Sequence, residues 1–204
     1  MELVPIFVDD EGSVEGLFAV RYREGEPDEF ERLFEQWDDS NFVLSYFLFN
    51  EEFLKDSYFD YYETFGHFDK AFNLSEKVEF EATQIYSLFI QYRLDGYKTS
   101  SGFLQTLFKP LEKEKKQFDE DSLQESKFKI EDKINNPQPI LRLYGLRIED
   151  NTFVITGGAI KLTHWMEHHH DTLEELNKLQ KVKEWLLEND VTSQDDIKYS
   201  YYEK

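Results

Sequence analysis

His164-Trp165-Met166-Glu167-His168 matches H-x-x-E-H, the inverted zinc-peptidase pattern. On a helix its two histidines would share a face, and neutral imidazoles at that spacing hold zinc while the glutamate activates a water. The segment lies between a strand and a helix cap, His169 and His170 run on directly from it, and only 36 residues follow. The family's third ligand is a glutamate far downstream. The stronger reading is therefore a polar, histidine-rich loop with no resident metal, and His164 with His168 is the alternative ligand pair.

Thr156-Gly157-Gly158-Ala159-Ile160-Lys161-Leu162-Thr163 places a lysine after glycines. It fails as a phosphate loop, because that motif needs a second glycine directly before the lysine. The glycine pair instead marks a bend or a close backbone approach in a central strand. No G-x-S-x-G elbow, G-x-G-x-x-G fingerprint or acidic calcium loop is present. A third pattern is a set of cations, Lys109, Arg142, Arg147 and Lys161, with Thr163 and His164 beside them. Such groups can stabilise a phosphorane or pair with carboxylates, and pairing is favoured in a chain with 43 acids.

These residues sit on or beside Ile140 to His164, which reads as two strands covered on both faces. Leu141 and Leu143 fall on one face and Tyr144, Leu146 and Ile148 on the other; in the second strand Phe153 and Ile155 oppose Val154 and Ile160. Glu149-Asp150-Asn151-Thr152 makes the turn. Before them, Leu3 to Val8 and Leu17 to Tyr22 read as a hairpin around Asp9 to Ser13. Helices follow over Pro27 to Trp37, Asn41 to about Leu54 with Ser40 as cap, and about Asp69 or Asn73 to Leu94, with Gly96 as stop. The aromatic cluster between the last two reads as half-buried helix connections. Gly102 to Leu111 is expected to be a short strand or tight segment leading toward the sheet, and about 112–139 a mobile, charged connection. Thr172 and Glu175 make a capping-box pattern for a final helix that ends near Asn189.

The fold class is α+β: one domain over residues 1–204, with a twisted, mostly antiparallel sheet and the N-terminal and C-terminal helices packed on it. A chain with no cysteine offers no disulfide or thiolate site. The absence of a basic leader and of a long apolar run points to a cytoplasmic protein with no membrane partner. Charge is uneven. Residues 1–92 hold six basic side chains against 22 acidic ones, whereas residues 93–116 hold six against three. The overall charge of −20 repels nucleic-acid phosphates at long range, so any such contact must be local.

The order of these features resembles the RelE/HigB-like toxin superfamily, with its phage-derived and ParE-type relatives, and is similar to an uncharacterised bacterial family. Lys109-Pro110-Leu111, Leu146-Arg147-Ile148 and Lys161-Leu162-Thr163 fill the family's Lys-x-Leu, Leu-Arg-Ile and Lys-Lys-Thr slots, and Thr172 to Asn189 its last helix. The resemblance implies metal-independent cleavage of messenger RNA on the ribosome, an antitoxin partner and no cofactor. Lys109, Arg147 and Lys161 would neutralise phosphate charge, and His164 or Tyr144 would handle a proton. The alternative is a non-catalytic interaction module, a homodimer, whose acidic N-terminal half contacts a basic protein.

Overall fold

The computed structural model describes residues 1–8, 16–55, 67–94, 103–112, 117–118, 123–130 and 138–197, with only the backbone of 67–69 and 92–94. The Asp9 to Ser13 turn, most of the aromatic cluster after Lys55, Gly96, and parts of the 112–139 connection lie outside them.

Strands β1 (Glu2–Val8), β2 (Gly16–Arg21), β3 (Lys109–Pro110), β4 (Gln124–Phe128), β5 (Leu141–Glu149) and β6 (Thr152–Ile160) form one sheet in the order β1-β2-β6-β5-β4-β3. The helices are α1 (Glu29–Asp38), α2 (Ser40–Phe49), α3 (His67–Leu94), α4 (Phe103–Leu107) and α5 (His170–Glu188). The fold is α+β in a single compact domain. The β5–β6 hairpin is central, as its two-sided hydrophobicity requires. Among the described residues every pairing is antiparallel except β2 with β6, which run parallel over Gly16–Ala19 and Thr152–Ile155.

The helices divide between the two faces. Phe30, Leu33 and Trp37 of α1, Val43 and Phe47 of α2 and Leu74, Val78, Ile85 and Phe89 of α3 pack with Leu17, Leu141, Leu143, Phe153 and Ile155 on one side. Leu179, Val182 and Leu186 of α5 pack with Phe18, Val20, Tyr144, Leu146 and Val154 on the other. Phe153 and Ile155 share a face, as their spacing predicts, but Ile160 joins them rather than Val154. The cause is a bulge: Tyr144 pairs with Gly157 and Gly145 with Ile155, so Thr156 is an extra residue that inverts the alternation beyond it.

Several boundaries differ from expectation. Asp28 and Asp39, whose carboxylates accept backbone N–H groups, cap α1 and α2, so Ser40 lies inside α2 rather than before it. That helix gives way to a 3-10 turn at Glu51–Lys55. The stretch expected as a short strand or tight segment is mostly the short α4, with Lys109–Pro110 extended. The connection read as mobile contributes β4, whose Ser126 and Phe128 are buried. The Thr172–Glu175 capping box does not form. His169 caps α5, Thr172 donates to the carbonyls of Met166 and His169, and Glu175 turns into the protein. There it accepts from Lys178 Nζ at 2.8 Å.

One buried acid joins α3 to the sheet. Glu81 is fully buried and accepts the N–H groups of Ile140 and Leu141 at 2.7–3.0 Å, with Lys77 Nζ at 3.3 Å. It satisfies the donors that open β5. Among the described residues, no helix is long and apolar enough to cross a membrane.

Candidate functional site

A cationic groove lies where α5 leaves the sheet uncovered. Helix α5 packs on β6 and β5, so the outer part of the same face, over β4 and the start of β5, is open. In β4 the cross-strand register sets Lys127 beside Tyr144 and Glu125 beside Leu146. With side chains alternating along each strand, Glu125, Lys127 and Lys129 line the groove together with Arg142 and Tyr144. Lys161, His164, Trp165, Met166 and Glu167 wall it where the chain leaves β6, and Leu176 of α5 closes the other side. The cavity measures about 580 Å³. Four cations face three carboxylates here, Glu112, Glu125 and Glu167, so the groove is positive in a chain that is strongly negative.

Tyr144, Lys161 and His164, three of the five residues expected to act, meet in this groove. Lys109 and Arg147 do not. Lys109 lines a separate hollow with Gln105, Thr106 and Phe118. Arg147 points to the opposite face, where its guanidinium lies 5.3 Å from the Phe118 ring centre and pairs with Asp150. Strand alternation is the reason: Arg142 and Tyr144 differ from Arg147 in parity along β5. Lys127 and Lys129 lie outside the expected set because their segment is highly charged. The signal was present, since Ser126, Phe128 and Ile130 alternate with Glu125, Lys127 and Lys129.

The His164–His168 pair gains no helix. Met166–His168 is a single 3-10 turn, so the shared face that H-x-x-E-H needs does not exist.

A second region lies at the carboxyl ends of the two parallel strands. After β2 the chain enters α1 on one face, and after β6 it enters α5 on the other. Such a divergence opens a crevice between neighbouring parallel strands. The crevice here, about 350 Å³, is lined by Arg32, Gln36, Trp37, Tyr46, Gly158 and the α5 residues Asp171, Glu174, Glu175 and Lys178 among others. Two buried acids meet at its base. Glu29 takes a two-pronged bond from Arg32 at 2.7 and 2.8 Å, and Lys178 bridges Glu29 at 3.5 Å and Glu175 at 2.8 Å.

The other Glu175 oxygen, Oε2, is buried without a hydrogen bond. Burial pushes the Glu175 carboxyl up to about 7, against the pull of Lys178 and with a further push from Glu29. The Tyr22 hydroxyl, which donates to the Thr156 carbonyl at 2.7 Å, is driven well above its ordinary value by burial and by the same two acids. The Gly157-Gly158 pair was legible as a close approach. Its partners, Glu175 on one side and Leu33 and Trp37 on the other, had no sequence signal.

Compared with protein-family models, with curated proteins and with solved structures, the chain has no match.

Proposed function

We propose that the protein is a toxin-antitoxin-related, RelE/HigB-like protein that cleaves RNA without a metal in the groove over β4 and β5. The observation that carries this reading is the convergence of Lys127, Lys129, Arg142 and Lys161 with Tyr144 and His164 on one open sheet face. In the reaction a ribose 2′-oxygen attacks the neighbouring phosphorus, the P–O2′ bond forms and the P–O5′ bond breaks. The cations stabilise the charge on the non-bridging oxygens. His164 takes the 2′-hydroxyl proton, and Tyr144 gives one to the leaving 5′-oxygen. Lys109 and Arg147, placed elsewhere, have no part in the step. A cytoplasmic site of action and an antitoxin that masks the groove belong to the same reading.

The test is induced expression with a purified-RNA assay. Wild type arrests growth and cleaves RNA in EDTA, and a Lys127→Ala/Lys161→Ala variant does neither while staying folded. Harmless wild-type expression with no cleavage overturns it.

A second reading, an acidic module that binds a basic protein, is favoured by the outer face of α3. There Phe72, Glu76 and Phe80 are all exposed at four-residue spacing, so one helix face offers aromatic area beside negative charge.

A further inference from the structure

His170 and Asp171 line the α1/α5 crevice and His169 lies buried next to them, a set of ligand atoms that the RNA groove does not use. His169, His170 and Asp171 each present one ligand atom, all within 4.8 Å of one another. His169 Nδ1 stands 3.6 Å from Asp171 Oδ2, and His170 Nε2 2.7 Å from Asp171 Oδ1. Ligands bound at about 2.0–2.1 Å around a tetrahedral ion sit a little over 3 Å apart, so these spacings need small adjustments. His170, with a side chain 75% exposed, is free to make them.

What surrounds the trio argues for more than chance proximity. Asn50 donates through Nδ2 to the Tyr46 carbonyl at 2.9 Å, which leaves Oδ1 to face His169 Nε2 at 3.2 Å. An acceptor there fixes the proton on Nε2 and turns the Nδ1 lone pair toward Asp171. That is how proteins orient a metal-binding imidazole. The Phe53 ring stands edge-on to His169 at 4.7 Å and holds the ring plane. Tyr46 donates to Asp171 Oδ2 at 2.6 Å, which orients the carboxylate. One turn along α5, Glu175 lines the same crevice, with its Oε2 turned onto the Gly157 backbone.

We propose that His169 Nδ1, His170 Nε2 and the Asp171 carboxylate form a binding site for one divalent transition ion of the zinc class, with an open coordination position facing the crevice. Two imidazoles and one carboxylate suit zinc, and three protein ligands leave a position for water or for a ligand in the crevice. On binding, His169 gives up its weak 3.3 Å bond from the Asp171 N–H, and Asn50 and Tyr46 keep their places as positioning residues. The site is independent of the RNA reading and does not involve His164 or His168.

The experiment uses the untagged full chain, dialysed against EDTA and titrated with Zn²⁺ by calorimetry and with Co²⁺ by visible absorption. One ion per chain is expected, with a tetrahedral or five-coordinate Co²⁺ spectrum and a Tm raised by saturating Zn²⁺. His170→Ala, an exposed change that leaves the fold intact, and Asp171→Asn should each weaken binding at least tenfold. Asn50→Ala should weaken it by about 10–100-fold and alter the Co²⁺ spectrum. His164→Ala and His168→Ala should bind as wild type does. No saturable Co²⁺ spectrum at millimolar metal overturns the proposal, as does binding that survives His170→Ala but is lost in His168→Ala.

Discussion

The carboxylate of Glu175 occupies the space that a side chain at Gly157 would need: a Cβ there would overlap Glu175 Oε2. A helix thus packs onto a central strand through a buried acid laid over bare backbone. Alanine at 157 must displace either the strand or the carboxylate, which Lys178 holds by a 2.8 Å bond. Gly157→Ala is expected to cost about 1–3 kcal/mol, the usual range for overpacking, in urea denaturation. The same change in a Glu175→Ala background should cost less. Equal costs in the two backgrounds would show that the pair does not interact.

The buried carboxyl also sets a pH dependence. Glu175 titrates at about 7 in the folded protein against an ordinary 4.5, so between those values the native state holds a proton that the unfolded chain has released. The contribution is fully present below about pH 4.5 and is lost as the pH rises through 7, a change on the order of 3 kcal/mol. Glu29, Lys178, Arg32 and Tyr22 face this group. Removing its titration should therefore flatten the stability profile. Glu175→Gln is expected to gain stability relative to wild type between pH 5 and pH 8, measured as the difference between the two urea midpoints at each pH. A constant difference across that range would refute the assignment.

Glu81 gives a prediction of the opposite kind, because its acceptors are all used. Glu81→Ala leaves the N–H groups of Ile140 and Leu141 buried without the acceptor they share and removes a carboxylate 3.3 Å from Lys77 Nζ. Lys77 is already held below its ordinary value by burial, with Glu81 opposing. The loss should reach about 3–5 kcal/mol and speed amide exchange at the start of β5. Wild-type stability in this variant would mean that the contact is dispensable.

The β5–β6 hairpin could be read from the sequence because each strand shows apolar residues on both faces, and α1 because Phe30, Leu33, Phe34 and Trp37 recur at helical spacing. What sequence could not supply was the division of helices between faces. That depends on β2 running parallel to β6, a long-range pairing with no local signature. The Thr156 bulge was hidden for a similar reason, since an extra residue alters parity without altering composition. The groove was half legible: Tyr144, Lys161 and His164 were singled out as polar groups near the central strands. The charge around Lys127 and Lys129 hides their alternation, and Arg147, close to Tyr144 in sequence, differs from it in parity and faces the other side. The acids Glu29, Glu81 and Glu175 resemble forty others until the fold buries them.

On the proposed RNA-cleaving reading, the opposite facing of Arg147 and Lys161 separates stability from chemistry. Arg147 is 6% exposed, beneath Phe118 and paired with Asp150, on the face where α1 to α3 pack. Removing it should uncouple the β5–β6 turn from that packing, at a cost of about 1–2 kcal/mol. The groove is untouched, so Arg147→Ala should cleave RNA at the wild-type rate per folded molecule and show only a lowered Tm. Lys161→Ala, in the groove, should lower the single-turnover cleavage rate by about 10²-fold, the scale of one lost charge-stabilising group. Its remaining activity should depend less steeply on salt, because one phosphate contact fewer releases fewer counterions. Parallel thermal melts and single-turnover assays on the two variants decide the matter. A rate loss in Arg147→Ala beyond its loss of folded protein would place the chemistry on the other face of the sheet.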